Sequence, residues 1–242
     1  MLLGVDAWVV VVLAVALFVG AVVQGSVGLG LGLVGAPVAS LVAPELMPDL
    51  MLWLAAAMAA QTMVTEHRGT DWRGLGLALP PRVVGTVVGV WVVASAPTDT
   101  IGVAVGLMVL LSVLLTVRAV TLPVNRVTLP IAGLVSGVAG TATSIGGPPL
   151  AILYQHHHPR VLRPTLAAYF AIGAALSLGG LGLAGELDGD VALLALLLSP
   201  VLVGGIAVSV PVRRRVPAHL IRTAVLVVCG ASAMALLLRS LV

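Results

Sequence analysis

The residues of this chain that could act on a small molecule are few and mostly small. One group lies between Gln24 and Pro37, QGSVGLGLGLVGAP, where Gln24 and Ser26 are the polar side chains among closely spaced glycines. A second lies between Ser136 and Pro149, SGVAGTATSIGGPP, which offers the hydroxyls of Ser136, Thr141, Thr143 and Ser144. Glycine lets backbone approach a ligand closely. N–H groups at the start of a half-helix carry partial positive charge and favour an anion without a buried Lys or Arg. The chemistry expected of these tracts is therefore the binding of a small anion. The competing reading is close helix packing, since small-residue spacings recur at Gly28/Gly32, Gly85/Gly89, Gly102/Gly106 and Gly133/Gly137.

Other constellations carry less. Gly30, Gly32 and Gly35 match a G-x-G-x-x-G pattern, but a nucleotide site needs a preceding strand and an acidic residue about 20 positions on, which do not fit this apolar stretch. His156, His157 and His158 are adjacent, so they cannot readily converge on one ion, and Arg160 and Arg163 repel cations nearby. A solvated loop is expected there, with no metal and no cofactor. No Ser/His/Asp set, H-E-x-x-H motif or intramembrane carboxylate pair is present, so the chain is not read as an enzyme. Arg82, behind Pro80 and Pro81, lies within a predicted span. It either snorkels to the interface or draws anions inward from the cytoplasm. Gln61 and Thr62 either extend a polar pathway or bond a neighbouring helix.

The elements that must position these residues are membrane helices. With 60% hydrophobic and 9% charged residues, and a mean hydropathy of +1.19, the chain cannot cover a soluble globule with polar surface. All 12 basic residues are Arg, and the net charge of +3 leaves no nucleic-acid patch. The N-terminal apolar run has no basic residue before it and is read as retained. Trp8, Trp53, Trp72 and Trp91 form a sparse interfacial belt, and Cys229 is read as a packing residue.

The two tracts lie 112 residues apart, and at that offset Gly25, Gly28, Gly35 and Pro37 fall beside Gly137, Gly140, Gly147 and Pro149. A second block repeats at an offset of 119, pairing Pro81 with Pro200 and Gly85 with Gly204. The chain therefore reads as two repeats, residues 1–121 and 122–242, joined in one transmembrane domain. Residues 7–43 exceed the roughly 20 needed for one span, so a broken or re-entrant segment opens each half. Spans follow at about 50–65, 74–96 and 100–117, then at 164–184, 191–211 and 218–240, with a polar stretch at 154–163.

Arginine placement decides between topologies. If each broken segment turns back, Arg68, Arg73, Arg118, Arg126, Arg160, Arg163, Arg213, Arg214 and Arg215 share the cytoplasmic side and only Arg239 lies opposite. Asp6, Glu45, Asp49, Asp99, Glu186, Asp188 and Asp190 then face outward. If each crosses once, the same residues divide evenly. The expected fold is thus an all-α polytopic membrane protein of two inverted repeats, each a re-entrant segment plus three transmembrane helices. Glycine and proline breaks near the midplane of such repeats point to a transport site.

At these residues the chain resembles the sulfite exporter TauE/SafE family: two glycine-rich tracts, each in the first segment of a half and followed by Pro, together with the P-x-x-x-G blocks. The likeness covers essentially the whole chain in repeat order and tract position; here the tracts read GLGLG and TATSIGG. The resemblance implies a multi-pass protein of the cytoplasmic (inner) membrane that moves sulfite, sulfoacetate or similar small anions, commonly outward. Its tract roles carry over to Gly25, Gly28, Gly35, Pro37, Gly137, Gly140, Gly147 and Pro149. The expected partners are the anion and the lipid bilayer; homo-oligomerisation, an anion channel and a non-transporting scaffold stay open as alternatives.

Overall fold

The structure, a computed structural model, describes residues 4–28, 30–66, 68–117 and 122–241. Arg118 and His67 fall outside the described residues, as do the side chains of Asp99 and Arg239. The elements among the described residues are all helices. The first half runs α1 (Ala7–Val27), α2 (Leu31–Val42), a 3-10 turn (Pro44–Leu46), α3 (Asp49–Thr65), α4 (Trp72–Ser95) and α5 (Thr98–Val117). The second runs α6 (Thr128–Thr143), α7 (Gly147–Tyr154), α8 (Pro159–Ala184), α9 (Gly189–Arg215) and α10 (Ala218–Leu241). By length and composition, α1, α4, α8 and α9 can each cross a membrane. Their outward faces carry Trp8, Val11, Val15, Val87, Trp91, Leu196 and Val203, all exposed. Such a surface suits lipid rather than water.

Both broken segments turn back on themselves. A Cβ on Gly20 would lie 3.1 Å from the Cα of Leu31, and one on Gly35 would lie 3.5 Å from Leu17, so α2 retraces α1. Likewise Gly146 packs on Ser136 and Gly140, and α7 retraces α6. The caps define equivalent positions: Gly28 ends α1 at φ +91° and Ser144 ends α6 at φ +60°, both left-handed, while Gly30 and Gly146 precede the returning helices. These positions are 116 apart, one helical turn beyond the 112-residue glycine match, and at that offset Gly28 falls beside Ser144 and Gln24 beside Gly140. The left-handed cap is Gly in one tract and Ser in the other, so glycine positions alone miss this offset.

Packing repeats in the same sense. α4 runs alongside and parallel to α6, where Gly85 meets Leu134 and Gly137, and Gly89 meets Thr141. α1 runs parallel to α9, where Gly205 meets Phe18 and Ala21, and Gly25 meets Ser209. α3 packs on α8 and α5 on α10. The missing side chains let backbones approach closely, which is how helices associate where lipid supplies no hydrophobic drive. Two loop contacts match as well: Asp71, capping α4, donates its N–H to Thr165 Oγ1 of α8 at 2.9 Å, and Asp188, capping α9, donates to Asp49 Oδ2 of α3 at 3.1 Å.

Several expectations change. Arg160 and Arg163 stand in the first turns of α8 rather than in a loop, because His158 Nδ1 accepts the Arg160 N–H at 3.2 Å and Pro159 fits a helix start. Trp53 is partly buried and packs against the core. Asp49 is buried at the end of α3 rather than facing water.

Candidate functional site

α4 is capped by Asp71, whose Oδ1 accepts the Gly74 N–H at 3.0 Å. Pro80 and Pro81, the two residues before Arg82, lack the N–H groups that would complete the helix's hydrogen-bond ladder. Arg82 does not snorkel to an interface: it is 3% exposed and enclosed by α6 and α8. Its Nη1 donates to Ser136 Oγ at 2.9 Å, and Ser136 in turn donates to the Gly146 carbonyl. Its Cζ lies 4.4 Å from the ring centre of Tyr169. Gly173 and Gly140 leave the space the guanidinium fills, since a Cβ on Gly140 would lie 3.2 Å from Nη2 and one on Gly173 would overlap the fork itself.

Among the described residues no carboxylate pairs with Arg82, and its Nε has no hydrogen-bond partner. Removing a guanidinium from water costs several kcal/mol. A desolvated cation–π contact returns about 2 kcal/mol, and one neutral hydrogen bond about 1 kcal/mol. The remaining deficit is what a bound anion would offset.

Arg82 borders a cavity of about 60 Å³ between the two breaks, lined by Gly30–Leu33 of the first hairpin and Ser144–Pro148 of the second, with Gln24 and Gly140. A water needs roughly 10–15 Å³ on this measure, so a small oxyanion with some water fits. The two returning helices start at its wall. Gln24 Oε1 accepts the Leu31 N–H at 2.9 Å, while helix geometry leaves the Gly32 and Leu33 N–H groups outside the ladder. In α7, Pro148 and Pro149 carry no N–H, so that end offers the Gly147 N–H and its dipole.

A second cavity, also about 60 Å³, continues toward the arginine-rich end and is lined by Gln24, Gly25, Gly28, Gln61, Thr62 and Glu66, with Arg163. Gln24 and Phe170 border both spaces. The sequence-derived residues thus divide. Gln24, Arg82, Gly140, Ser144 and Gly147 line the central cavity; Gly25, Gly28, Gln61 and Thr62 line the outer one.

The rest of that set packs nearby. Ser26 Oγ donates to the Val22 carbonyl, Thr143 Oγ1 to the Ala139 carbonyl, and Thr141 shares a hydrogen bond with Ser177. Gly35 faces Met51, Gly137 faces Arg82 and Gly85, and Pro37 is buried within α2. Pro149 follows Pro148 in the first turn of α7. Ser136 bonds Arg82 and is not on the cavity wall.

Sequence reasoning passed over Tyr169, Phe170, Gly173 and Ala174 of α8, and Leu52 and Ala55 of α3. A signal was present in Tyr169-Phe170 followed by Gly173, in a chain whose aromatic content is 3%. Among the described residues no group of His, Cys, Asp and Glu side chains is placed to hold a metal.

The family described as Sulfite exporter TauE/SafE matches residues 12–236, nearly the whole chain. No curated protein and no solved structure is significantly similar to it.

Proposed function

The chain belongs to the sulfite exporter TauE/SafE family, a family of membrane transporters for sulfite or similar anions, and on that premise we propose that it is a secondary transporter whose substrate binds at Arg82. The observation that carries this reading is one buried guanidinium between two helix breaks, without a carboxylate partner among the described residues. A fork of N–H donors matches a planar or pyramidal oxyanion better than a spherical ion. A sulfur oxyanion or small organosulfonate is the substrate class we assign, and the inner membrane its place of work.

The mechanism proposed is alternating access around the hairpin tips. Exchanging the two halves maps α4 on α6 onto α9 on α1, and the Asp71–Thr165 contact onto Asp188–Asp49. α1 runs toward the end where Glu66, Arg163 and Arg213 meet, and α4, with α6 parallel to it, runs away from that end. This supports inverted halves, which can rock about a fixed central site. Residues 1–121 and 122–242 are the units that would move. Gln24 and Phe170 standing between the cavities favour a gated carrier over an open channel. Packing alone, as in a scaffold, gives no reason to bury an unpaired arginine.

The test is flux of labelled sulfite and small sulfonates into proteoliposomes, with Arg82→Gln and Gly140→Leu as variants. Folded variants that carry anion as well as the parent protein would sink the assignment. Single-channel currents in a planar bilayer would replace the carrier by a channel.

A further inference from the structure

The outer cavity holds a charge arrangement that the central site does not need. Glu66 follows the last turn of α3, its N–H bonded to the Thr62 carbonyl at 2.7 Å. A carboxylate there faces the negative end of the helix dipole. It is held by two cations: Arg163 Nε lies 3.3 Å from Glu66 Oε2 and Arg213 Nη1 lies 4.0 Å from Oε1. Neither contact is tight. Arg163 Nε is buried yet forms no hydrogen bond, so its attraction to Glu66 is coulombic only. The Glu66 side chain is 34% exposed and has water to turn into.

Arg163 is fixed independently of Glu66, because its Nη2 donates to the Gly25 carbonyl in the last turn of α1 at 2.8 Å. One end of its fork thus ties α8 to the tip of the first hairpin. The other end faces the carboxylate.

We propose that Arg163 and Arg213 form a second subsite for the same small oxyanion, occupied in the resting protein by the Glu66 carboxylate as a tethered stand-in. The substrate displaces Glu66, gains Arg163 and the Gln61 and Thr62 side chains lining the space, and passes between Gln24 and Phe170 to Arg82. Two arginines against one carboxylate leave the subsite a net charge of +1 with Glu66 in place. Displacement exchanges one anion for another and leaves no arginine bare. This inference rests on the anion-transport reading of the central cavity.

The experiment compares Glu66→Gln, Arg163→Gln and Arg213→Gln with the parent protein, full length in proteoliposomes, using labelled sulfite. Removing the tethered competitor should lower KM for sulfite by roughly fivefold, the scale of one partly exposed ion pair. Arg213→Gln should raise KM with kcat held, and Arg163→Gln should raise it further. If Arg163→Gln fails to fold for want of the Gly25 contact, the opposed shifts of Glu66→Gln and Arg213→Gln decide alone. An unchanged or raised KM in Glu66→Gln overturns the subsite. Parent vesicles that move no sulfite would overturn the transport reading instead. In that case equilibrium binding of sulfite to the solubilised protein decides the subsite, because Glu66→Gln must bind more tightly than the parent.

Discussion

The guanidinium of Arg82 rests on the bare Cα of Gly173, so close that a methyl group there would overlap its central carbon. The Tyr169 ring and Ser136 hydroxyl complete the seat. Gly173→Ala should therefore displace Arg82 without touching substrate, and sulfite flux should fall about tenfold or more, the loss expected when one oriented charged contact is mispositioned. Gly179→Ala, on the same helix with nothing within 4 Å of the added methyl, should transport normally. Equal flux from both would show that the Arg82 seat does not matter.

Arg82→Lys separates charge from shape. Lysine keeps the positive charge but loses the fork and the flat face against Tyr169. We expect transport with KM raised by roughly tenfold, and preference among oxyanions blunted, whereas Arg82→Gln should be inactive. Identical kinetics for Lys and Arg would argue that only net charge acts there.

The two left-handed caps should respond differently when their side chains are changed. Gly28, at φ +91°, tolerates no side chain without strain, so Gly28→Ala should cost about 1–2 kcal/mol. Ser144→Gly relieves the same strain but loses the hydrogen bond from Ser144 Oγ to the Pro48 carbonyl, at 2.9 Å, worth about 1 kcal/mol, for a net effect near zero. Thermal unfolding in detergent gives both values.

Asp71 sets a pH limit. Burial raises its carboxyl pKa, but hydrogen bonds from the Tyr154 hydroxyl (2.6 Å) and the Gly74 and Arg73 N–H groups outweigh this and hold it below the ordinary 3.8. A lowered pKa contributes stability that is complete above pH 3.8 and disappears as pH falls through the folded value. The Tm difference between the parent protein and Asp71→Asn should stay constant from neutral pH down to about 4 and close below it. A gap that persists at lower pH would remove the charge from the account.

Topology has its own test. Single cysteines at 45 and 188 should react with an impermeant thiol reagent from one face and a cysteine at 123 from the other. Native Cys229, 1% exposed, should add little background. Labelling of 123 and 188 from the same face would reject the inverted arrangement.

Much of this protein was legible in its sequence because membranes constrain sequence strongly. Apolar composition required helices, glycine tracts marked where two of them break, and arginine placement favoured segments that turn back. The matched tracts also identified the family. What they left undecided was how distant pieces meet. Arg82 reads the same in sequence whether it snorkels or is buried; only α6 and α8, supplying Ser136, Tyr169 and the space over Gly140 and Gly173, decide that it lies inward. The one-turn offset between Gly28 and Ser144 was hidden for a similar reason, because a left-handed cap is a backbone state that glycine favours and serine can adopt. Composition follows the solvent each residue meets, whereas a charged side chain's partners are set by helices far apart in the chain, and those only the packed structure brings together.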